Sequence, residues 1–277
     1  MKVATNFMVL VLAVFFANFS TAQNSLSLYV SSSGSAAITE ADGMISLLVL
    51  AGGNDEGQST TGSCVIAASL AKVEGGFKGK LSPINTGINS YTDEQAQGKK
   101  IAIEQNPDSI IISDVDYVGI CSLDNSLVNL YNEAPPSDKR HKSTYAEMLD
   151  LAHTDSLILF KKGKTAEAIA ELAPYAYNYQ AAWLADENLA STVISAINDY
   201  AYFLQENNQA ADSIPFLNDI VAADPRRSVA WLNLADSNWA IGKQKDAAKQ
   251  YKKYIDLMLT NNKKSKIPQR ALDRAGQ

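Results

Sequence analysis

The spacing of apolar residues changes period once along this chain, near residue 133, and that change limits what each half can become. Before it, short runs rich in β-branched residues recur: Met44-Ile-Ser-Leu-Leu-Val-Leu50, Cys64-Val-Ile-Ala-Ala68, Lys100-Ile-Ala-Ile-Glu104 and Ser109-Ile-Ile-Ile-Ser113. Runs of this length predict strands. The breaks between them hold turn-forming residues, as in Gly52-Gly53-Asn54-Asp55, Gly75-Gly76, Asn85-Thr-Gly87 and Asn106-Pro107-Asp108. Phe77-Lys-Gly-Lys-Leu81 alternates apolar and basic residues, as a half-exposed strand does. About seven short strands so spaced predict a small all-β sandwich or barrel over 23–132. Glu133-Ala-Pro-Pro-Ser-Asp-Lys-Arg-His-Lys142 predicts a linker over 133–143. Beyond it the period becomes helical, and a helical domain is predicted over 144–277. The expected fold class is therefore α+β in two domains.

The helical pattern is clearest from Ser228 to Leu257. Trp231, Leu234, Ala235, Asn238 and Trp239 share one face of a helix, Gly242 breaks it, and a second helix carries Ala247, Tyr251, Tyr254 and Leu257. Large residues facing small ones let two antiparallel helices approach closely. This unit resembles the tetratricopeptide (TPR) motif, with Trp231, Leu234-Ala235, Gly242, Ala247 and Tyr251 at the motif positions and Tyr254 where a small residue is usual. One motif length upstream, Ile197, Tyr200-Ala201, Asn208 and Leu217 occupy the same places, and Asn is a tolerable substitute for Gly at the turn. A weaker copy surrounds Lys162-Gly163 and Ala168, and the segment Tyr175 to Ala190 interrupts the register between the two. The resemblance implies stacked helical hairpins whose first helices line a groove for another protein or an extended peptide. On this register the groove residues are Asn198, Tyr202 and Gln205 in one unit and Asn233, Asp236 and Trp239 in the next.

The amino terminus places the chain. Met1-Lys2, the apolar run Met8–Phe16 and the small residues Ser20-Thr21-Ala22 form the pattern of a signal peptide over 1–22, cleaved before Gln23. At about 1.5 Å per residue the run falls far short of the roughly 30 Å needed to span a bilayer, so no stable membrane insertion is expected after cleavage. The mature protein is expected in the periplasm or outside the cell. Cys64 and Cys121 are the two cysteines, and an even count in an exported chain predicts a disulfide.

Net charge is −6, which argues against nucleic-acid binding. The charge is uneven: residues 23–135 hold 5 Lys/Arg against 13 Asp/Glu, and residues 243–277 hold 10 against 3. No catalytic or metal-binding pattern stands out, and no cofactor is expected. His141 and His153 belong to no metal motif. Ser69 and Lys72 have the spacing of a Ser-x-x-Lys pair, but on a strand they face opposite ways. Asp114 and Asp116, with Asp108 and Asp124 nearby, could hold a cation only with a loop geometry that is absent from the sequence. The expected function is an exported, non-catalytic protein-binding adaptor. The alternatives are an inhibitor or immunity protein that blocks a secreted hydrolase through the Gly52–Gly62 segment, and an enzyme using Asp114 and Asp116.

Overall fold

The computed structural model describes residues 24–41, 43–52, 63–122 and 126–276. The expected signal peptide, residues 53–62 of the Gly52–Gly62 connection and Asp124 lie outside the described residues. The strands are β1 (Ser25–Val30), β2 (Gly34–Ala41), β3 (Met44–Ala51), β4 (Cys64–Val73), β5 (Gly76–Ser82), β6 (Ile84–Asn85), β7 (Ser90–Tyr91), β8 (Lys100–Asn106), β9 (Ser109–Val115) and β10 (Leu130–Glu133). A short helix, α1 (Asp93–Ala96), follows β7. Eight of the strands close into a barrel in the order β1-β10-β9-β8-β5-β4-β3-β2, every pair antiparallel, while β6 and β7 form a separate ribbon. Of the two β architectures expected, the structure is the barrel. Closure leaves no unpaired edge, because β1 pairs with both β2 and β10.

Register decides which residues fill it. Pairs such as Ala36↔Val49, Val49↔Ile66, Ala68↔Leu81, Phe77↔Ile103, Ile103↔Ile112 and Ile110↔Tyr131 carry one face around the ring, and all of these residues are buried. An eight-stranded barrel is just wide enough to be filled by its own side chains. The opposite face is buried on one side too, at Leu28, Val30, Ala37 and Leu48. Helices α2 (His141–Lys161) and α3 (Thr165–Ala176) pack there against β1 and β2. Strand β2 was invisible to propensity for this reason: its paired alanines, Ala36 and Ala37, are small because β2 is packed on both faces.

The segment expected as a linker is docked. Ala134 is buried, its N–H donates to the Leu28 carbonyl at 2.7 Å, and His141 Nδ1 lies 2.6 Å from the Ala134 carbonyl oxygen. Helix α2 starts at His141, so Lys142 and Ser143 belong to its first turn. One apolar core runs continuously from the barrel through the helices as far as Leu234.

The remaining helices are α4 (Ala190–Glu206), α5 (Ala210–Ala223), α6 (Ser228–Ala240), α7 (Gln244–Thr260) and α8 (Gln269–Ala275). They pair as α2/α3, α4/α5 and α6/α7, with α8 against α7. Gly163, Asn208 and Gly242 stand at the three hairpin turns with φ of 79°, 62° and 81°. After each, the next N–H reaches back to the last turn of the helix: Lys164 to Leu159, Gln209 to Leu204, Lys243 to Asn238, at 2.8–3.0 Å. Asn262 (φ 56°) and the bond from Lys263 to Met258 repeat the device before α8. This is the Schellman termination, which needs a residue at ease in the left-handed region. The segment interrupting the repeat register is a short 3₁₀ turn, Ala181–Ala185, which buries Trp183 with its ring 4.6 Å from that of Tyr145. Tyr254, the departure from the repeat pattern, is buried in a cluster with Ala271 and Ala275, small residues that α8 supplies.

Candidate protein-binding groove

Helices α2, α4 and α6, the first of each hairpin, stand side by side. The six residues expected on their free face separate into three groups. Asn198 and Asn233 are 2% and 7% exposed, so they do not line an open groove. The Asn233 amide donates to Asn198 Oδ1 at 3.4 Å, joining α4 to α6. Gln205 is half-buried and spans the same seam, donating to the Asn233 carbonyl at 2.5 Å and to the Ser237 hydroxyl. A buried amide must find a partner, and here each finds it on the neighbouring helix.

Asp236 and Trp239 form the second group, and α8 engages both. Asp236 accepts from Arg270 at 2.7 and 3.2 Å, from Arg274 at 3.3 Å and from the Tyr251 hydroxyl at 2.5 Å. The Arg274 guanidinium lies 4.8 Å from the centre of the Trp239 ring, within cation–π range. Burial, together with the hydrogen bond to Asp236, pushes the Tyr251 phenol up to about 12. These two arginines were not anticipated as site residues, although the positive excess after residue 243 was the signal that could have pointed to them.

Tyr202 alone of the six is exposed, at 36%. Its ring meets Phe160 of α2 edge-on at 5.6 Å, and Phe160 in turn stacks on Phe203 at 4.5 Å. Partial burial, with Glu206 close by, raises the Tyr202 phenol above its usual value. One turn away, His153 Nε2 lies 2.9 Å from Asp199 Oδ2 and ties α2 to α4. Phe160 and Tyr202 thus form a two-ring aromatic shelf with Asp199 and Glu206 beside it, and the Asp236–arginine cluster lies on α6 and α8.

In the barrel, Cys64 and Cys121 are joined in a disulfide with Cα atoms 5.7 Å apart. Asp116 pairs with Lys99 at 3.2 Å, Asp114 is exposed on β9, and Asp108 sits in the turn at the other end of that strand. Ser69 bonds Ser82 at 3.0 Å across the outer surface, whereas Lys72 is on the opposite face of β4. Among the described residues no cluster of three metal-ligating side chains occurs, and no helix is long and apolar enough to cross a membrane.

Hairpin geometry and the barrel together define the class: an eight-stranded antiparallel barrel continued by a TPR-like helical array. No family model matches the chain, and no curated protein matches it. Among the solved structures similar to it are a TPR-containing domain and MamA. One is the C-terminal TPR-containing domain of a Plasmodium falciparum protein described as an FK506-binding protein, 14% identical, with a TM-score of 0.38, covering 48% of this chain and 92% of that one. Two others are structures of MamA: an RS-1 double mutant, and the protein of Desulfovibrio magneticus RS-1. They are 15% and 14% identical, each with a TM-score of 0.21, covering 47% of this chain and 92% of theirs. At these scores the likenesses add nothing to the geometry already described.

Proposed function

We propose that this chain is an exported protein-binding adaptor that holds an extended peptide against the free face of α2, α4 and α6. The observation that carries the reading is the shelf of Phe160 and Tyr202, with Tyr202 exposed although its ring is large and ordered by a neighbour. Tyrosine contributes much contact area with few rotatable bonds, and it is enriched at the centres of protein interfaces. Asp199 and Glu206 flank the shelf and favour a peptide bearing amide or basic groups. Asn198, Asn233 and Gln205 act in this reading as staples that hold the units in register, and Asp236 and Trp239 set the groove's end. Export rests on the leader pattern, and the disulfide supports it, since such bonds persist in oxidising compartments.

A photo-crosslinking amino acid placed at Tyr202, compared with one at the exposed Lys253 of α7, tests this. In an envelope extract, position 202 is expected to give discrete adducts that diminish when Phe160→Ala is added. Equal adducts at both positions, or none at 202, would remove the proposal.

A further inference from the structure

The seam between the first helical hairpin and the barrel is not fully packed. A cavity of about 300 Å³ remains between the outward faces of β2–β4 and helices α2 and α3. That is at the lower end of the roughly 300–1,000 Å³ of small-molecule sites. Much of its wall is apolar, including Leu48, Ala67, Ala152, Ala170 and the ring of Tyr175. Three carboxyl groups interrupt that wall, Asp155 of α2 with Glu167 and Glu171 of α3, and Glu167 is paired with Lys164 at 3.0 Å.

Asp155 is buried and accepts one N–H, from Asn85 at 2.7 Å. Glu171 Oε2 is buried and no donor reaches it. Among the described residues no ion pair includes either group. Lys162 and Lys164 act on Asp155 only through their field. Burial raises both carboxyls, and the adjacent Asp155 raises Glu171 further, which favours a proton on the pair. A buried carboxyl pair with a single donor is unfavourable unless something neutralises it. Among the described residues no three ligating side chains converge to hold a metal ion, and the apolar wall suits the body of an organic cation.

We propose that this cavity binds a small primary ammonium compound with an apolar body, its three N–H donors shared between Asp155 and Glu171 and its body lying against Leu48, Ala67 and Tyr175. The proton held by the carboxyl pair leaves to solvent as the ammonium enters, so the charge of the pair is replaced rather than added.

Calorimetric titration of the full chain with n-hexylammonium and 2-phenylethylammonium, with 1-hexanol as the neutral counterpart, tests the proposal. At pH 8 at least one ammonium is expected to bind saturably and the alcohol at least tenfold more weakly. Repeating the titration in buffers of different ionisation enthalpy is expected to reveal proton release. Binding is expected to weaken at least tenfold from pH 8 to pH 5, because protons compete with the ammonium for the pair. Of the other groups around the pair, Lys162 and Lys164 act on Asp155 through their charge, and burial raises the phenols of Tyr91 and Tyr175. Glu167 at the cavity is separated by Glu167→Gln, which is expected to leave the pH response in place. Glu171→Gln is expected to weaken binding at least tenfold, and Ala170→Leu, which fills the space, to abolish it. Absence of ammonium binding at pH 8, equal binding of hexanol, or unchanged affinity in a folded Glu171→Gln chain would overturn it.

Discussion

Replacing Asp236 by alanine should release helix α8 without unfolding the rest of the chain. Helix α8 buries little of its own: Ala271 and Ala275 are its buried residues, and Leu272 is exposed. What anchors it is the cluster in which one carboxylate accepts from Arg270, Arg274 and Tyr251. The Arg270 side chain is 47% exposed, and a pair of that kind contributes roughly 0–1 kcal/mol. The bond from Arg274 is better shielded, and a hydrogen bond to a charged group contributes about 1.5–3 kcal/mol, whereas the bond from Tyr251 joins α7 to α6 and does not hold α8. Taken together, the loss should come to about 2–3 kcal/mol, or a roughly 30- to 140-fold rise in the opening equilibrium of α8. In a stack whose units contact only their neighbours, the terminal element opens independently. Amide hydrogen exchange over residues 269–275 should therefore accelerate by that factor, while the amides of α4 and α5 keep their protection. Asp246→Ala is the control, since Asp246 is exposed and only 3.9 Å from the equally exposed Lys249. Exchange in α8 within threefold of the parent chain would show that the apolar contacts alone hold the helix, and that the far end of the groove is not closed by this carboxylate.

Gly242→Ala should cost about 1–2 kcal/mol in urea unfolding because φ there is 81°, whereas Asn208→Gly should be close to neutral; equal effects at both would contradict the turn assignment. Removing the disulfide by Cys64→Ser with Cys121→Ser opens a cross-link 57 residues apart in sequence and should lower stability by about 4 kcal/mol, read from unfolding with and without reductant. Glu171 is held well above its ordinary 4.5 by burial first and by Asp155 second, so the folded chain keeps a proton that the unfolded chain releases. The corresponding stability is present below about 4.5 and is lost as pH rises through the folded value. Glu171→Gln should then gain on the parent chain as pH climbs from 4.5 towards 8, and parallel stability-versus-pH curves would refute the shift.

Much of this architecture was legible before any coordinate, and the legible parts are those written in local chemistry. Gly163, Asn208 and Gly242 announced their turns because few other residues tolerate a positive φ. The helical stripe around Trp231 announced a hairpin because period alone determines a face. Cys64 and Cys121 had only each other. The barrel was less legible: its central strands carried β-branched runs, but in β2 Ala36 faces the filled interior and Ala37 faces α2 and α3, so both are enclosed by neighbours. Closure required β1 to meet β10 across a hundred residues, a pairing that no local pattern records.

The groove marks the boundary most sharply. A register in the sequence placed Asn198, Asn233 and Asp236 on one helical face, yet part of that face is the seam that meets the next helix. Asn198 and Asn233 fell on the seam, and Asp236 was taken by arginines more than thirty residues away. Hydrophobic period tells which residues turn inward; which polar residues remain free depends on what the rest of the chain brings against them, and that is decided only when the helices pack.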